Sequence, residues 1–446
     1  MEKIDPISSL SKMQMKIENL EVNNLNSVSN GGSIHYQDPG WKDPTIDIFN
    51  VSLNKCSSSE KGGGAYVNGT KYMNVHKAKI NGTNANYGGA IGVYSSNFVS
   101  IQESTFSYSY SVNGGGAIHG DLAGVFYIVL CTFSYCMTDA TGGAISLNQI
   151  QISDCIIILT NFYNCTANNG GSVYVNSDKS CSFEFSKICC YKSYVRSTTS
   201  QGLFLNVIGI GAQTNTLVNI SSLSNLGVYG IGEGSLYVIK CGLECNNINF
   251  SKSSSYRTTS IKTELANGIN CQYTTISGQR SSNHCNIYII SLVDSSGLIM
   301  FMNYINNSVG NDIIASQIYI LNTYNKRLTI QFSLFQRNNG ILFKTSNGTG
   351  TILVYGCYIY HSSINMTTAD SASFEMTQSS NTESQTIPIA HYSTFYCADL
   401  QISNQDIELC PSFPPIPTTH DCLYSQSGSI ITLSHIFASN SIMLMV

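Results

Sequence analysis

The tetrapeptide GGAI occurs at residues 88–91, 115–118 and 142–145, with close variants GGSI at 31–34, GGAY at 63–66 and GGSV at 170–173. The intervals between successive copies are 32, 25, 27, 27 and 28 residues. An interval this regular indicates a chain built from one repeated structural unit. Paired glycines permit positive φ at a sharp corner, and a small third residue lets copies stack on one another.

A second repeated element lies between the tetrads. It is a large apolar residue followed three positions later by Cys or a small polar residue, as in Phe133 and Cys136. Along the chain we place this apolar position at Leu25, Leu53, Ile80, Phe106, Phe133, Phe162, Ile188, Leu223, Phe250, Ile276, Ile305, Phe335, Ile359 and Phe395. The residue five positions earlier is apolar in all fourteen repeats, where the composition predicts about six. The pattern therefore predicts an inward-facing strand, a corner and a further strand in each repeat.

The composition favours strands over helices. Only 11% of residues are charged, and Ser, Thr, Asn, Gly and Tyr supply most of the polarity. A period near 27 residues suits one coil of three short strands, and stacked coils would bury one continuous core. We predict an all-β, right-handed parallel β-helix of a dozen or more turns. A leucine-rich repeat would need a helix-forming half, and propeller blades would need about forty residues each.

The predicted domain organisation has three parts. Residues 1–19 form an irregular N-terminal cap, residues 20–396 form the β-helix, and residues 397–446 form a cap and linker tail. Cys397, Cys410 and Cys422 flank a Pro-rich stretch in this tail that cannot continue the stack. The N-terminus has no signal-peptide pattern, and no apolar run reaches the roughly 18 residues of a membrane span. We therefore expect either a cytosolic protein or a piece of a longer secreted or anchored polypeptide.

The cysteines fall in register with the repeat. We predict stacking on adjacent coils for three pairs: Cys136 with Cys165, Cys155 with Cys181, and Cys245 with Cys271. Parallel side-chain vectors suit a disulfide poorly, so buried thiols are favoured, with disulfides left open. Cys241 and Cys245 lack a second pair at zinc-like spacing. The sequence thus predicts no metal site, no cofactor and, with a net charge of −4, no nucleic-acid partner.

Catalysis on this fold would need acidic or basic residues aligned on one face, because glycoside hydrolysis uses paired carboxylates. We place Asp121, Asp139, Asp154, Asp178 and Glu184 at different repeat positions, and expect none of Arg196, Arg257, Arg280, Arg327 and Arg337 near an acidic pair. His119-Gly120-Asp121 is the most enzyme-like triplet, although a corner with a solvated Asp is the favoured interpretation. The glycine cluster Gly227, Gly230, Gly232 and Gly234 is interpreted as turns rather than a phosphate-binding loop. We assign no catalytic, cofactor-binding or metal-ligating residue.

Several tyrosines could form a binding face for carbohydrate or protein. The examples are Tyr94, Tyr108, Tyr110 and Tyr174. Tyrosine is also a good exposed-strand residue, so each has an ordinary structural explanation.

The GGAI tetrads alternating with an F-x-x-[small/Cys/Asn] element resemble the repeats of the chlamydial polymorphic outer membrane proteins. They are closer in texture to the large surface families of trichomonad protists. The resemblance covers roughly residues 20–396 and is strongest between 31 and 175. It implies a pectin-lyase-like β-helix, surface display, and a role in adhesion or antigenic variation. The FxxN asparagine is mostly replaced here by Ser or Cys, which departs from the bacterial pattern.

These observations predict a non-catalytic cell-surface or secreted β-helix that contacts host-cell surface proteins or glycans. The alternative is a carbohydrate-active enzyme of the pectin-lyase-like class, either a polysaccharide lyase or a glycoside hydrolase. A degenerate gene product without activity is the third hypothesis.

Overall fold

The computed structural model describes residues 14–38, 43–148, 154–177, 182–197, 201–209, 214–227, 233–266, 268–292, 297–310, 315–321, 327–346, 351–360, 374–377, 379 and 386–389. Within these residues the regular structure is entirely β-strand, and the strand pairs are parallel. The strands form three sheets that wrap into about 11 turns, as in a right-handed parallel β-helix. The predicted fold class is confirmed, with slightly fewer turns than the dozen or more expected.

Sheet A is the widest face, and most coils contribute two of its strands. Its strands are Gln14–Glu18, Glu21–Asn23, Thr45–Phe49, Ser52–Asn54, Tyr72–His76, Lys79–Asn81, Phe98–Gln102, Thr105–Ser107, Val125–Val129, Thr132–Ser134, Asp154–Ile158, Asn161–Tyr163, Ser182–Tyr191, Thr214–Leu223, Gly242–Ser251, Ile269–Gln272, Thr275–Ser277, Gly297–Met300, Asn303–Ile305, Arg327–Gln331, Leu334–Gln336, Thr351–Tyr355, Tyr358–Tyr360 and Phe374–Thr377. The first strand pairs with Thr45–Phe49, so the paired stack already includes residues that we assigned to the N-terminal cap.

Sheets B and C complete each coil. Sheet B consists of Asn26–Ser27, Ser57–Ser58, Asn84–Tyr87, Tyr110–Gly114, Met137–Thr138, Thr166–Ala167, Tyr194–Val195, Leu226–Gly227, Ser254–Ser255, Arg280–Ser281 and Ser308–Val309. Sheet C consists of Ile34–Gln37, Ala65–Asn68, Ile91–Tyr94, Ile118–Asp121, Ile145–Asn148, Val173–Asn176, Leu205–Ile208, Leu236–Ile239, Thr258–Ala266, Cys285–Leu292, Ser316–Leu321 and Phe343–Ser346.

The core is a set of side-chain ladders that run from coil to coil. Phe106, Phe133 and Phe162 occupy one register position, and their rings stack with centroids 4.8 and 5.3 Å apart. Offset or stacked aromatic pairs of this kind add to the stabilisation from burial alone. The predicted apolar position is therefore correct through the tetrad-bearing coils from Leu53 to Phe162.

The predicted register is wrong at four places. The inward positions are Val22, Cys190, Ser222 and Tyr304, where we predicted Leu25, Ile188, Leu223 and Ile305. Leu25 is 45% exposed. In two of these coils the paired sheet A strands fuse into single strands: Ser182–Tyr191, where Ile188 to Tyr191 are consecutive apolar residues, and Thr214–Leu223, where the inward position is Ser222. A period alone cannot choose among neighbouring apolar residues. Phe395 lies outside the described residues.

The two glycines of each glycine-rich corner are required for different physical reasons. The first adopts a left-handed backbone, with φ of +61° at Gly88 and +62° at Gly115. The second is required for close approach, because a Cβ on Gly89 would lie 2.2 Å from the carbonyl oxygen of Gly116. In the second coil the tetrad starts at Gly62 and not at Gly63, since Ala65 pairs with Ile91. Phe204 follows Gly202 at the position predicted to be small, so that requirement ends with the glycine-rich coils.

The cysteines are mostly buried thiols, as predicted. Cys136 and Cys165 stack on adjacent coils, and so do Cys245 and Cys271. The third predicted pair is wrong in register, because Cys155 pairs with Phe183; Cys181 itself lies outside the described residues. The free and buried cysteines of the described residues are Cys56, Cys131, Cys136, Cys155, Cys165, Cys190, Cys241, Cys245, Cys271, Cys285 and Cys357, whereas Cys189 takes part in a disulfide. The predicted 397–446 tail lies outside the described residues.

Candidate ligand-binding cleft on sheet C

The outward-facing side of sheet C carries one continuous line of side chains, here called the outer row. Its members are His35, Tyr66, Gly92, His119, Ser146, Tyr174, Asn206, Tyr237, Lys262, Tyr288, Tyr319 and Lys344. A second line, the corner row, consists of the residues that precede the corner glycines: Lys61, Tyr87, Gly114, Thr141, Asn169, Gln201 and Glu233. Corner-row side chains contact the outer row, as where the Thr141 and Ser146 hydroxyls lie 2.9 Å apart. Outer-row residues such as Tyr237 are therefore buried although they point outward.

A cleft of about 560 Å³ lies on the outer side of sheet C in the glycine-rich coils. It is lined by Lys61, Tyr87, Tyr94, His119, Asp121, Asn148 and Asn176. A pocket with aromatic walls and a few convergent polar groups is the usual form of a small-molecule binding site.

Two missing side chains open this cleft. Gly92 pairs with Tyr66 on one side and His119 on the other, and the Tyr94 ring lies between those two rings at 5.6 Å from each. Gly114 is the corner-row residue nearest His119, and it contributes no side chain to cover the imidazole. Space for a ligand is therefore created by glycines at positions where other coils carry side chains.

His119 forms the floor of the cleft. It is 2% exposed, and its Nδ1 atom has no hydrogen-bond partner among the described residues. Burial, with a smaller contribution from the nearby Lys61 ammonium, lowers its pKa to about 3. The imidazole is neutral at physiological pH, and its unpaired Nδ1 atom is a donor or an acceptor according to the tautomer. The Tyr87 ring packs against it with centroids 5.0 Å apart.

The rim of the cleft is charged and polar. Nζ of Lys61 lies 3.7 Å from the centroid of the Tyr94 ring, a cation–π contact. Burial raises the pKa of Tyr94, with a further contribution from the Asp121 carboxylate, so the phenol stays protonated. Tyr94 pairs with Asp121 and Asp121 with Asn148, which places ring, carboxylate and amide in line across three coils. Asn176 ends the next strand of sheet C.

The structure brings together some of the residues singled out from sequence and separates others. His119, Asp121 and Tyr94 meet in the cleft, whereas Tyr174 lies farther along the outer row. Tyr108 stacks on Tyr135 with centroids 4.8 Å apart, away from sheet C. Tyr110 belongs to sheet B, and its hydroxyl donates to Asp139 at 2.6 Å.

Sequence reasoning missed Lys61 and Tyr87. Both precede a corner glycine, and that constant offset was the available signal. Once the coils are aligned, a large outward-facing side chain just before the corner glycine, as in Lys61 and Tyr87, identifies the corner row.

One prediction about charged residues is wrong. Arg257 does lie in a cluster with an acidic pair: its Nη1 atom is 2.9 Å from Oε1 of Glu233, and Lys262 links Glu233 to Glu264. Arg196 also pairs with Asp139, at 3.4 Å. The partners are far apart in sequence and meet only because neighbouring coils stack on one another. In the predicted glycine cluster, Gly234 is a corner residue with φ of +66°.

Among the described residues, no helix is long and apolar enough to cross a membrane. The same residues contain no group of three His, Cys, Asp or Glu side chains placed to hold a metal ion. Comparison of the chain with protein-family models, with curated proteins and with solved structures gives no match to any of the three.

Proposed function

We propose that this protein is a non-catalytic β-helix that binds glycans through the sheet C cleft, as an adhesion or host-contact protein. The observation that carries the proposal is the cleft itself: two tyrosine rings and a neutral imidazole, beside a carboxylate and two amides. Sugars present hydroxyls that need both donors and acceptors, together with apolar C–H faces that pack against aromatic rings.

The make-up of the cleft favours binding over hydrolysis. Asp121 is the one carboxylate among the described residues that line it. Hydrolysis of a glycosidic bond requires two carboxyl groups facing one sugar. Neutral His119 lies at the floor with Lys61 at the rim, and this pair supplies hydrogen bonds and charge rather than paired acid and base.

The proposed location is the cell surface or the extracellular space. It rests on the resemblance of the GGAI and F-x-x-[small/Cys/Asn] repeats to the polymorphic outer membrane proteins and to trichomonad surface families. The array of coils adds support, because a repeated outer face suits weak, multivalent contact with a surface. Host-cell glycans are the ligands that we favour, and host proteins are the alternative partner class.

The direct test is binding of the purified chain to an array of host glycans, followed by affinity measurements on the best ligands. We expect Asp121→Asn to weaken binding roughly tenfold, because a charge-assisted hydrogen bond contributes about 1.5–3 kcal/mol. Asp47→Asn is the matched control, since Asp47 lies on sheet A, where it accepts hydrogen bonds from Gln14 and Asn74. Equal weakening by both variants, or no binding by the unmodified chain, would contradict the proposal.

The enzymatic alternative has its own test. The purified chain is incubated with pectate, glycosaminoglycans and mucins, and the products are assayed for reducing ends and unsaturated uronates. Their appearance, and their loss in Asp121→Asn, would replace the binding proposal by the carbohydrate-active enzyme. Protease shaving of intact source cells tests the location: release of peptides from residues 60–180 supports surface display, and full protection until lysis contradicts it.

A further inference from the structure

Four charged side chains form a cluster on sheet C in the later coils: Glu233, Arg257, Lys262 and Glu264. Lys262 lies in the outer row between Tyr237 and Tyr288, and Glu233 ends the corner row. Nζ of Lys262 directly contacts Oε2 of Glu233, and the same nitrogen lies 2.8 Å from Oε1 of Glu264.

The two residues in direct contact are the most buried of the group. The side chains of Lys262 and Glu233 are 5% and 8% exposed, whereas those of Arg257 and Glu264 are 40% and 30% exposed. Arg257 and Glu264 keep part of their hydration, but the central pair does not. A buried ion pair recovers the cost of desolvation only in part, so a reaction that removes both central charges would relieve it.

We propose that Lys262 and Glu233 condense to an intramolecular isopeptide bond that ties neighbouring coils together. The Nζ–Cδ bond forms, the Cδ–Oε2 bond of Glu233 breaks, and one water molecule leaves with Oε2. The ammonium and the carboxylate together supply every atom of the amide and of the water. No oxidant, reductant or co-substrate takes part.

The neighbouring groups match the needs of this reaction. Glu264 is placed to take a proton from Nζ and return it to the departing oxygen. Arg257 donates to Oε1 of Glu233, which is the oxygen that gains negative charge in the tetrahedral intermediate. Nζ lies 4.7 Å from the Tyr237 ring centroid and 5.7 Å from that of Tyr288, so the rings enclose the amine and limit access of water. Contact between amine and carboxyl group supplies the proximity that such a condensation requires.

The test is the intact mass of the purified, reduced chain together with tandem mass spectrometry of its tryptic peptides. We expect a mass short of one water molecule, no cleavage after Lys262, and a branched peptide that joins the segments of Glu233 and Lys262. We expect Glu264→Gln to accumulate the unlinked chain, while Glu244→Gln, an exposed sheet A position, retains the bond. Full mass in the unmodified chain overturns the proposal, and so does loss of water with an unlinked Lys262 peptide. Because the unmodified chain is measured, the result does not depend on the folding of any variant.

Discussion

Gly114 and His119 lie directly against each other at the corner between sheets B and C: a Cβ atom on Gly114 would be 3.2 Å from Nδ1 of His119. This distance is shorter than an ordinary carbon–nitrogen contact, so a methyl group there would press on the imidazole or enter the cleft. The unpaired Nδ1 atom of His119 is buried against this corner, so a side chain at position 114 would disturb the packing of the imidazole at the floor of the cleft.

Gly114→Ala should therefore weaken glycan binding with little change in folding. Gly114 does not have positive φ, so alanine is compatible with its backbone. We expect an affinity loss of about tenfold, equivalent to about 1.4 kcal/mol. Titration calorimetry with the best array ligand measures it. Gly209→Ala is the matched control, because its Cβ would meet Cys241 Sγ at the same 3.2 Å, away from the cleft. Unchanged affinity in Gly114→Ala would argue against this cleft as the binding site.

Stability should fall in mild acid because of His119. An unfolded histidine takes up a proton near pH 6.5, whereas burial lowers the pKa of folded His119 to about 3. Between these values the unfolded state binds more protons, so the free energy of unfolding decreases as the pH falls. The neutral imidazole makes its full contribution to the free energy of unfolding above about pH 6.5. Below that pH the contribution decreases by at most about 1.4 kcal/mol per pH unit.

Urea denaturation of the unmodified chain and of His119→Gln isolates this contribution from those of the other titrating groups. We expect the difference in unfolding free energy between the two proteins to shrink as the pH drops from about 7 to about 4.5. A difference that stays constant over this range would show that His119 takes up its proton equally in both states.

Replacement of Leu130 by asparagine should stabilise the folded protein. It is 39% exposed and has φ of +55°, a left-handed conformation that costs an ordinary side chain roughly 1–2 kcal/mol. Asn50 occupies the equivalent corner with φ of +50°. We expect Leu130→Asn to raise the unfolding free energy by about 0.5–1 kcal/mol. Val129→Asn, in the adjacent strand Val125–Val129, should lower it, and a similar loss in both variants would contradict the backbone explanation.

The core thiols should be unreactive in the folded chain. Burial raises the pKa of Cys131 to about 12 from its ordinary value of 9, and burial also raises the pKa of Cys136. The thiolate is the reactive form of cysteine. We therefore expect iodoacetamide at neutral pH to alkylate both thiols roughly a thousandfold more slowly in the folded chain than in the urea-denatured chain. Peptide mass spectrometry of native and denatured samples measures the two rates. Equal labelling in both samples would show that these coils open readily.

The repeat was predictable because each coil places the same residue types at the same inward positions. Phe106, Phe133 and Phe162 follow the period closely, and the glycines between them mark the corners. The register was misplaced where the chemical contrast is weak. In Ser182–Tyr191, Ile188 and Cys190 are both buried, and only the pairing of the neighbouring strand shows which one continues the phenylalanine ladder.

The candidate site was predictable only in part. His119 and Asp121 stand out as a triplet, but Lys61 and Tyr87 come from preceding coils and meet them through the stacking of the corner row. Glu233 and Lys262 are separated by 29 residues, so their contact is likewise invisible to a local pattern. Both clusters depend on which residues of neighbouring coils lie side by side, and no local motif encodes that alignment.

Along the strands of each coil, inward side chains that specify the fold alternate with outward side chains that are free to vary. Gain or loss of one whole coil would keep every remaining ladder intact, because each coil bonds mainly to the coil above and below it. Duplication of a gene segment that encodes about 27 residues would thus add one coil, together with its own outer-row and corner-row side chains. Unequal recombination within such a gene can lengthen the protein and alter its outer surface in a single event, with no new fold to evolve.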